Sequence, residues 1–340
     1  MIDFPVLLRR VIAGEDLSAE EMAETIGAIM DETLSSVRAA ALLTALAAKG
    51  ETVSEVVGAA RAMRDRCVRV EHGLPFVLDI VGTGGDGANT INISTAAAFV
   101  VAGCGVPVAK HGNRAASSQC GSADVLEALG VTIDRRPEAS ARALREDGIA
   151  FLFAQRHHPA MRAVGPIRRE LGVRTIFNVL GPLTNPAGAQ RQMIGVARFE
   201  HLELVAEALR VLGAQSAAVI HAEDGLDEIS GEAPTQVVQF TRRGVQRWTL
   251  EPARYGVRAS RDEIRGGDAR TNAAALLAIL EGERSPRADL VLLNAALALV
   301  VAGEAIDIDD GMIRARTSVQ TGRARGALEA LRRERETELV

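Results

Sequence analysis

The sequence predicts an α/β protein in which a small all-helical domain precedes a large α/β domain, with a mixed, substantially parallel central sheet flanked by helices. Three observations predict it. Residues 1–72 carry only helical signals, β-rich runs alternate with helical stretches from residue 76 onward, and two glycine-rich turns fall where strands should end. Repeated βα alternation favours parallel strands with helices on the sheet faces. At 340 residues and 47% hydrophobic content the chain can bury a large core. With only 3% aromatics, that core has to be built from Ala, Val, Leu and Ile.

The elements follow in order. Asp3 can cap a first helix with Pro5 in its first turn, burying Leu7, Leu8 and Val11. Ser18 and Glu21 form a capping box, in which hydroxyl and carboxylate each satisfy a free backbone N–H. That helix runs to Met30. Ser35 or Ser36 opens the next, which stops at Lys49-Gly50 with glycine as the C-terminal exit. Thr52 and Glu55 make a second capping box for a helix to Arg66. Four short helices cannot bury their apolar faces alone, so they should pack on later helices or on a second subunit. Strands are expected at 76–81, 106–109, 131–133, 149–153, 192–197 and 217–221, with helices at 94–103, 122–129, 138–147 and 200–212. Residues 157–186 interrupt the alternation. They read as two short helical pieces broken at Gly165-Pro166, then proline-rich turns, and suggest a hinge crossing back to the helical part. Residues 236–250 alternate as a hairpin, and 269–336 read as helical. The domain boundaries implied are 1–72 and 73–340, with part of 157–190 returning to the first.

The net charge of −5 argues against a general nucleic-acid or anionic-membrane binder. The apolar windows at 96–109 and 290–302 are interrupted or too short to span a bilayer. Cys67, Cys104 and Cys120 have neither CxxC nor metal-site spacing and read as reduced packing residues. The N-terminus lacks a basic start followed by a long apolar run, so no signal peptide is expected and a cytoplasmic location is.

The chemistry concentrates in residues 78–130. The first turn contains Gly82, Gly84, Gly85, Asp86 and Gly87; the second runs from Lys110 through His111 and Gly112 to Asn113 and Arg114. Each is followed by helical sequence. Glycine lets backbone N–H groups approach a ligand, and a helix start adds free N–H groups with partial positive charge. Lys110 would neutralise phosphate, and Asn92, Ser94, Thr95, Ser117, Ser118 and Ser122 offer small hydrogen-bonding side chains. Ser94 could also ligate magnesium. The alternative is a pair of tight βα turns with helix caps. Neither the P-loop nor the dinucleotide G-x-G-x-x-G spacing is present. A second cluster, Glu223, Asp224, Asp227 and Glu228, follows the strand at 217–221; by itself it reads as a solvated acidic loop, and at the same sheet edge as a phosphate pocket it reads as a cation site. Arg168, beside Arg169, reads from its neighbours alone as a surface arginine.

The motifs GTGGD, NIST and KHGNRAASSQCGSADVLEALG, continued by RTIFNVLGPLTNP, GLDEIS and GGDARTNAAALLAILEG, resemble the anthranilate phosphoribosyltransferase family over nearly the whole chain. The resemblance implies transfer of a phosphoribosyl group from 5-phosphoribosyl 1-diphosphate to anthranilate on the route to tryptophan, in a homodimer joined through the helical region. It implies diphosphate-donor contacts from Gly82, Gly85, Asp86, Thr90, Asn92, Ser94, Thr95, Lys110, Ser118 and Ser122. It implies an acceptor site at Gly82, Asn113 and Arg168, with Arg168 on the anthranilate carboxylate. It implies two Mg2+ ions, one held by Ser94 and Glu228 and the other by Asp227 and Glu228 partly through water. Lys110, Asp227 and Glu228 are the residues expected to carry catalysis. His111 reads as lining rather than as a base, and His157 with His158 lack a third ligand for a metal. The rival readings are a pyrimidine nucleoside phosphorylase, a phosphoribosyltransferase for another aromatic amine, and a non-enzymatic nucleic-acid-binding relative. The acidic pair at 227–228 and the negative charge weigh against the first and the last.

Overall fold

A computed structural model describes residues 3–115 and 118–333. Its first helices are α1 (Phe4–Ile12), α2 (Ala19–Met30), α3 (Ser36–Lys49) and α4 (Val53–Asp65). Their ends follow the capping chemistry. Asp3 accepts from the Val6 N–H, and Ser18 and Glu21 exchange hydrogen bonds at the start of α2. The Glu55 carboxylate accepts from the Thr52 N–H at 2.9 Å and also from the Leu17 N–H at 3.0 Å, tying two helix starts together. In α1, Phe4 is buried with Leu7 and Val11, whereas Leu8 is only half-buried.

The strands are β1 (Leu78–Gly82), β2 (Val108–Gly112), β3 (Ile149–Phe153), β4 (Arg191–Gly195), β5 (Ser216–Ala222), β6 (Thr235–Thr241) and β7 (Gly244–Leu250). They form one sheet in the order β3-β2-β1-β4-β5-β6-β7. The first five are parallel, and β5–β6 and β6–β7 are antiparallel, closing with the expected hairpin. The crossovers use α5 (Ile93–Ala102), α6 (Ser122–Ala128), α7 (Pro137–Glu146), the single turn α8 (Ala154–His157), α9 (Met161–Leu171), α10 (Phe177–Leu180) and α11 (His201–Val211). The chain ends in α12 (Ala269–Leu280), α13 (Pro286–Ala302), α14 (Ile308–Gln320) and α15 (Arg323–Arg332). Residues 334–336 of the expected helical run lie outside the described residues.

Both faces of the sheet are covered, so its strands are apolar on both sides. In β5, Ala218 and Ile220 join the core formed by α5, α6, α12, α13 and α15, while Ala217 and Val219 join the core of the N-terminal helices. The segment 161–180 belongs to this second core: α9 packs on α2 and α3, and α10 packs on α4.

Three expectations are corrected. Residues 131–133 are not a strand: Gly130 takes a φ of +80°, the Val131 N–H donates back to the Leu126 carbonyl, and Val131 and Ile133 are buried as the exit of α6. Gly165-Pro166 does not break the helix: α9 runs through it. Proline removes a donor only to the carbonyl four residues back. Here that residue is Arg162, in the first turn of α9. Finally, β1 and β2 extend to Gly82 and Gly112, so their glycines finish the strands rather than follow them.

Candidate active site

After β1 the chain returns to build β2 and β3 on one side, then crosses to build β4 on the other. The order of the sheet therefore reverses between β1 and β4, and in open parallel sheets ligands bind at the strand C-termini at such a point. Both strands end there in glycine, with Gly82 paired to Gly195 in register. The vacancy matters because the loop after β5 lies across it. A Cβ on Gly82 would come 2.3 Å from Asp227 Oδ2, and one on Gly195 would come 1.6 Å from the Asp227 carbonyl oxygen.

The first glycine turn wraps the same loop. Gly84, Gly85 and Gly87 all have φ near +70° to +78°, a region that suits glycine alone. The Gly84 N–H donates to Asp227 Oδ2 at 2.6 Å, and Asp86 turns its own Oδ1 to the Ala88 N–H at 3.1 Å. Arg174 docks from the outside, its Nη1 donating to the Gly85 carbonyl at 3.2 Å. Thr90 bridges to Arg265, and the backbone of Gly266 presses on the Thr90 carbonyl so closely that a Cβ would sit 2.5 Å away. Asn92 is the N-cap residue of α5. Its Nδ2 donates to the Cys120 carbonyl and its Oδ1 accepts from buried Asn272, so the start of α5, the approach to α6 and α12 are tied through one side chain. Ser94 lies in the first turn of α5 with its N–H on Glu228 Oε1 at 3.1 Å, and Thr95 is buried behind it.

The electrostatics at this point are severe. Asp227 is buried and Glu228 half-buried, and desolvation raises both carboxyls above the usual range, to about 7 and about 8. Asp86 adds to the first shift and Asp227 to the second. Lys110 on β2 is buried and lies in the field of Asp79, Glu228 and Asp227. Asp79 is fully buried below it and pushed up to about 6 by desolvation. It accepts from the His111 N–H at 3.1 Å and from Asn185 Nδ2 at 2.8 Å. Among the described residues no three His, Cys, Asp or Glu side chains converge on a metal position. The oxygen donors present are the Ser94 hydroxyl and the two carboxylates. This incomplete, all-oxygen set fits magnesium, which is bound by one or two carboxylates and completes its shell with water and substrate phosphates. Ser94, Asp227 and Glu228 are the residues that would hold it.

The second turn is held by α6. The Asn113 carbonyl accepts from Ser122 Oγ and the Ala123 N–H, and its Oδ1 accepts from the Arg114 N–H and Gln155 Nε2. Ser118 is exposed, and Ser117 lies outside the described residues. His111 is buried, with Nδ1 on the Gly181 carbonyl at 3.2 Å and Nε2 without a hydrogen-bond partner among the described residues. Its ring centroid is 5.2 Å from that of His158, and burial holds its pKa well below the ordinary value. A neutral imidazole with a free acceptor nitrogen lines this wall. Arg168, in the last turn of α9, is half-buried with its guanidinium 5.8 Å from the centre of the Phe177 ring. It has no acidic partner among the described residues, and no hydrogen bond joins it to Asn113.

Four contributors escaped the sequence reading: Asp79, Arg174, Gly195 and Asn272. Arg174 and Asn272 lie inside stretches quoted above, but nothing in their local pattern says that they reach the first glycine turn and the start of α5. A glycine closing a second buried strand, as at 195, was a readable signal.

Residues 5–67 match the helical bundle domain of a glycosyl transferase family, and residues 74–325 match the a/b domain of the same family. The anthranilate phosphoribosyltransferase of Thermomicrobium roseum is 52% identical over 331 residues, covering 96% of this chain and 95% of the relative. That of Desulfatibacillum aliphaticivorans is 50% identical over 329 residues, covering 96% and 97%. The crystal structure of the Thermus thermophilus enzyme superposes with a TM-score of 0.90 at 45% identity, covering 96% of this chain and 99% of that one. The Saccharomyces cerevisiae enzyme in complex with PRPP and Mg superposes with a TM-score of 0.89 at 28% identity, covering 96% of each. With matches of this extent across both parts of the chain, the protein belongs to the anthranilate phosphoribosyltransferase family.

Proposed function

We propose that the protein transfers the 5-phosphoribosyl group of 5-phosphoribosyl 1-diphosphate to the amine of anthranilate, giving N-(5-phosphoribosyl)anthranilate and diphosphate in tryptophan biosynthesis. The observation that carries this reading is the meeting of Asp227, Glu228, Lys110 and the first glycine turn at the point where the sheet order reverses. A divalent cation at these two carboxyls would favour their ionised forms and offset the negative charge that Lys110 alone does not balance.

Departure of diphosphate builds negative charge on the leaving oxygens and positive charge on the ribose ring. Bound magnesium, taken here as two ions, would supply charge neutralisation at the diphosphate. Lys110 and the N–H groups of the turn at Gly82, Gly85 and Asp86 add fixed positive potential there. Thr90, Asn92, Ser94 and Thr95 on the first turn, with Ser118 and Ser122 on the second, orient the donor. Arg168 takes the anthranilate carboxylate with its planar fork, and Gly82 and Asn113 complete the acceptor site. The aromatic amine is neutral near pH 7, so the protein's main task is to hold it in line, which removes an entropic barrier. No side-chain base is assigned, and the low basicity of buried His111 is consistent with that.

We assign residues 1–72 to a helical domain that forms a homodimer interface, with part of 157–190 packed back onto it, residues 73–340 to the donor-binding domain, and the cytoplasm as its location. No helix among the described residues is long and apolar enough to cross a membrane.

The test offers purified protein three substrate sets: anthranilate with 5-phosphoribosyl 1-diphosphate, other aromatic amines with the same donor, and pyrimidine nucleosides with phosphate. The first set should dominate, with a product of the expected mass. Preference for another amine, or phosphorolysis of a nucleoside, would overturn the assignment.

A further inference from the structure

Two chain segments connect the helical part to the sheet, one running from α4 into β1 and the other, at 185–190, running into β4. They are laced together by Val70 N–H to Pro186 O, His72 Nε2 to Ala187 O and Val77 N–H to Gln190 Oε1. Between them and the end of α4 lies a cavity of about 410 Å³. Both strands begin here, so the cavity is at the opposite end of the sheet from the candidate active site. Its volume is within the range of small-molecule sites.

Two arginines line the cavity, and among the described residues neither pairs with a carboxylate. Arg64 spends Nε on the Leu183 carbonyl at 2.8 Å and one Nη1 hydrogen on the Leu212 carbonyl at 3.3 Å. Neither carbonyl offsets its charge, and its Nη2 has no protein partner among the described residues. Arg69 faces the same space, and its charge acts on Arg64. Glu71 lies on the rim, exposed, and pairs with neither arginine. Cys67 supplies no anion, since burial pushes its thiol up to about 11. His72 adds no charge to balance: its Nδ1 accepts from the Leu74 N–H, which leaves Nε2 as the donor to Ala187. The Gln190 carboxamide gives its oxygen to Val77 and leaves its N–H groups for the cavity.

A half-buried guanidinium without a carboxylate partner is costly, and a guanidinium fork matches two oxygens of a phosphate or carboxylate. We propose that this cavity is a binding site for a compact oxyanion, gripped by Arg64 and Arg69 with Gln190 as a further donor. An occupant would touch both connecting segments at once.

Cys67 lies in the lining and provides a local reporter, while Cys120, tied to Asn92 at the start of α5, reports on the other end of the sheet. Full-length protein would be alkylated with iodoacetamide at matched ionic strength in chloride, sulfate or malonate, and each cysteine followed by peptide mass spectrometry. At ten times its Kd the anion should slow Cys67 labelling about tenfold relative to chloride. Protection should be lost in Arg69→Ala, whose side chain is exposed, and in Arg64→Gln. Protection by sulfate alone assigns a tetrahedral, phosphate-like ligand, and protection by malonate alone assigns a carboxylate. Equal labelling in all three salts, or protection that persists in Arg69→Ala, would overturn the proposal.

Discussion

Gly195→Ala is the sharpest perturbation of the site, because it touches no ligand-facing atom. Its new Cβ would lie 1.6 Å from the Asp227 carbonyl oxygen and 2.4 Å from the carbonyl carbon. An ordinary carbon–oxygen contact is about 3.3 Å, so the Asp227 backbone has to retreat by roughly 1.7 Å. The obstacle is backbone, and no rotamer relieves it. A misplacement of about 1 Å at catalytic groups can cost roughly a hundredfold in rate. We therefore expect kcat/KM to fall at least about a hundredfold, or about 2.7 kcal/mol of transition-state stabilisation. Overpacking of this kind should also lower stability by about 1–3 kcal/mol. Gly82→Ala should cost less stability, since the atom in its way is a side-chain oxygen of Asp227 rather than backbone, but moving that oxygen breaks its hydrogen bond from the Gly84 N–H and displaces a proposed magnesium ligand, so activity should fall comparably. Gly326→Ala, in α15 with nothing within 4 Å of the new methyl, should gain about 0.5–1 kcal/mol and keep full activity. Steady-state turnover and thermal melting of the three variants check the ranking. Activity of Gly195→Ala within about threefold of the parent, with an unchanged melting temperature, would refute the argument that the two strand-end glycines make room for the acidic loop.

Arg174→Ala removes a charge-assisted hydrogen bond to the Gly85 carbonyl; loss of about 1.4 kcal/mol should raise the KM for 5-phosphoribosyl 1-diphosphate about tenfold and leave that for anthranilate nearly unchanged. Arg168→Ala should do the reverse, raising the anthranilate KM by about tenfold or more, and initial-rate measurements with each substrate varied in turn separate the two. His158 falls from 6.5 to about 4 through burial, with neighbouring His157 adding to it. Because its folded pKa is depressed, the stability it contributes is full above pH 6.5 and is lost as pH falls toward 4, by roughly 3 kcal/mol in all. Denaturant melts of the ligand-free His158→Gln protein should therefore lose less stability than the parent between pH 6.5 and 4.5. Asp79, raised to about 6, slopes the other way in both proteins, so the difference between them isolates His158.

Local chemistry was the legible part. Ser18 with Glu21, and Thr52 with Glu55, mark helix starts because the partners are three residues apart and settle the matter by themselves. The βα alternation gave the parallel sheet, since burial on both faces leaves an apolar imprint on each strand. Val131 and Ile133 mislead because a buried helix exit has the same composition as a short strand, and only the sheet decides between them. Pro166 misleads because a proline inside a helical pattern reads as a break, whereas α9 continues through it with the Arg162 carbonyl losing its i+4 donor. The phosphate-binding role proposed for the two turns rests on their glycine, lysine and hydroxyl content, which is readable in the sequence. The roles of Asp79 and Arg174 were not readable there, because they rest on contacts with residues 32 and 89 positions away in the chain.

The central claim is that Asp227 and Glu228 serve a magnesium-dependent transfer to anthranilate. Its most direct measurement follows the loss of anthranilate fluorescence with 5-phosphoribosyl 1-diphosphate across a magnesium titration, for the parent and for the Asp227→Asn/Glu228→Gln double variant. Turnover should be saturable and magnesium-dependent in the parent and fall by at least about a thousandfold in a folded double variant. Turnover that needs no divalent cation, or a double variant that keeps the parent's rate, would contradict that claim.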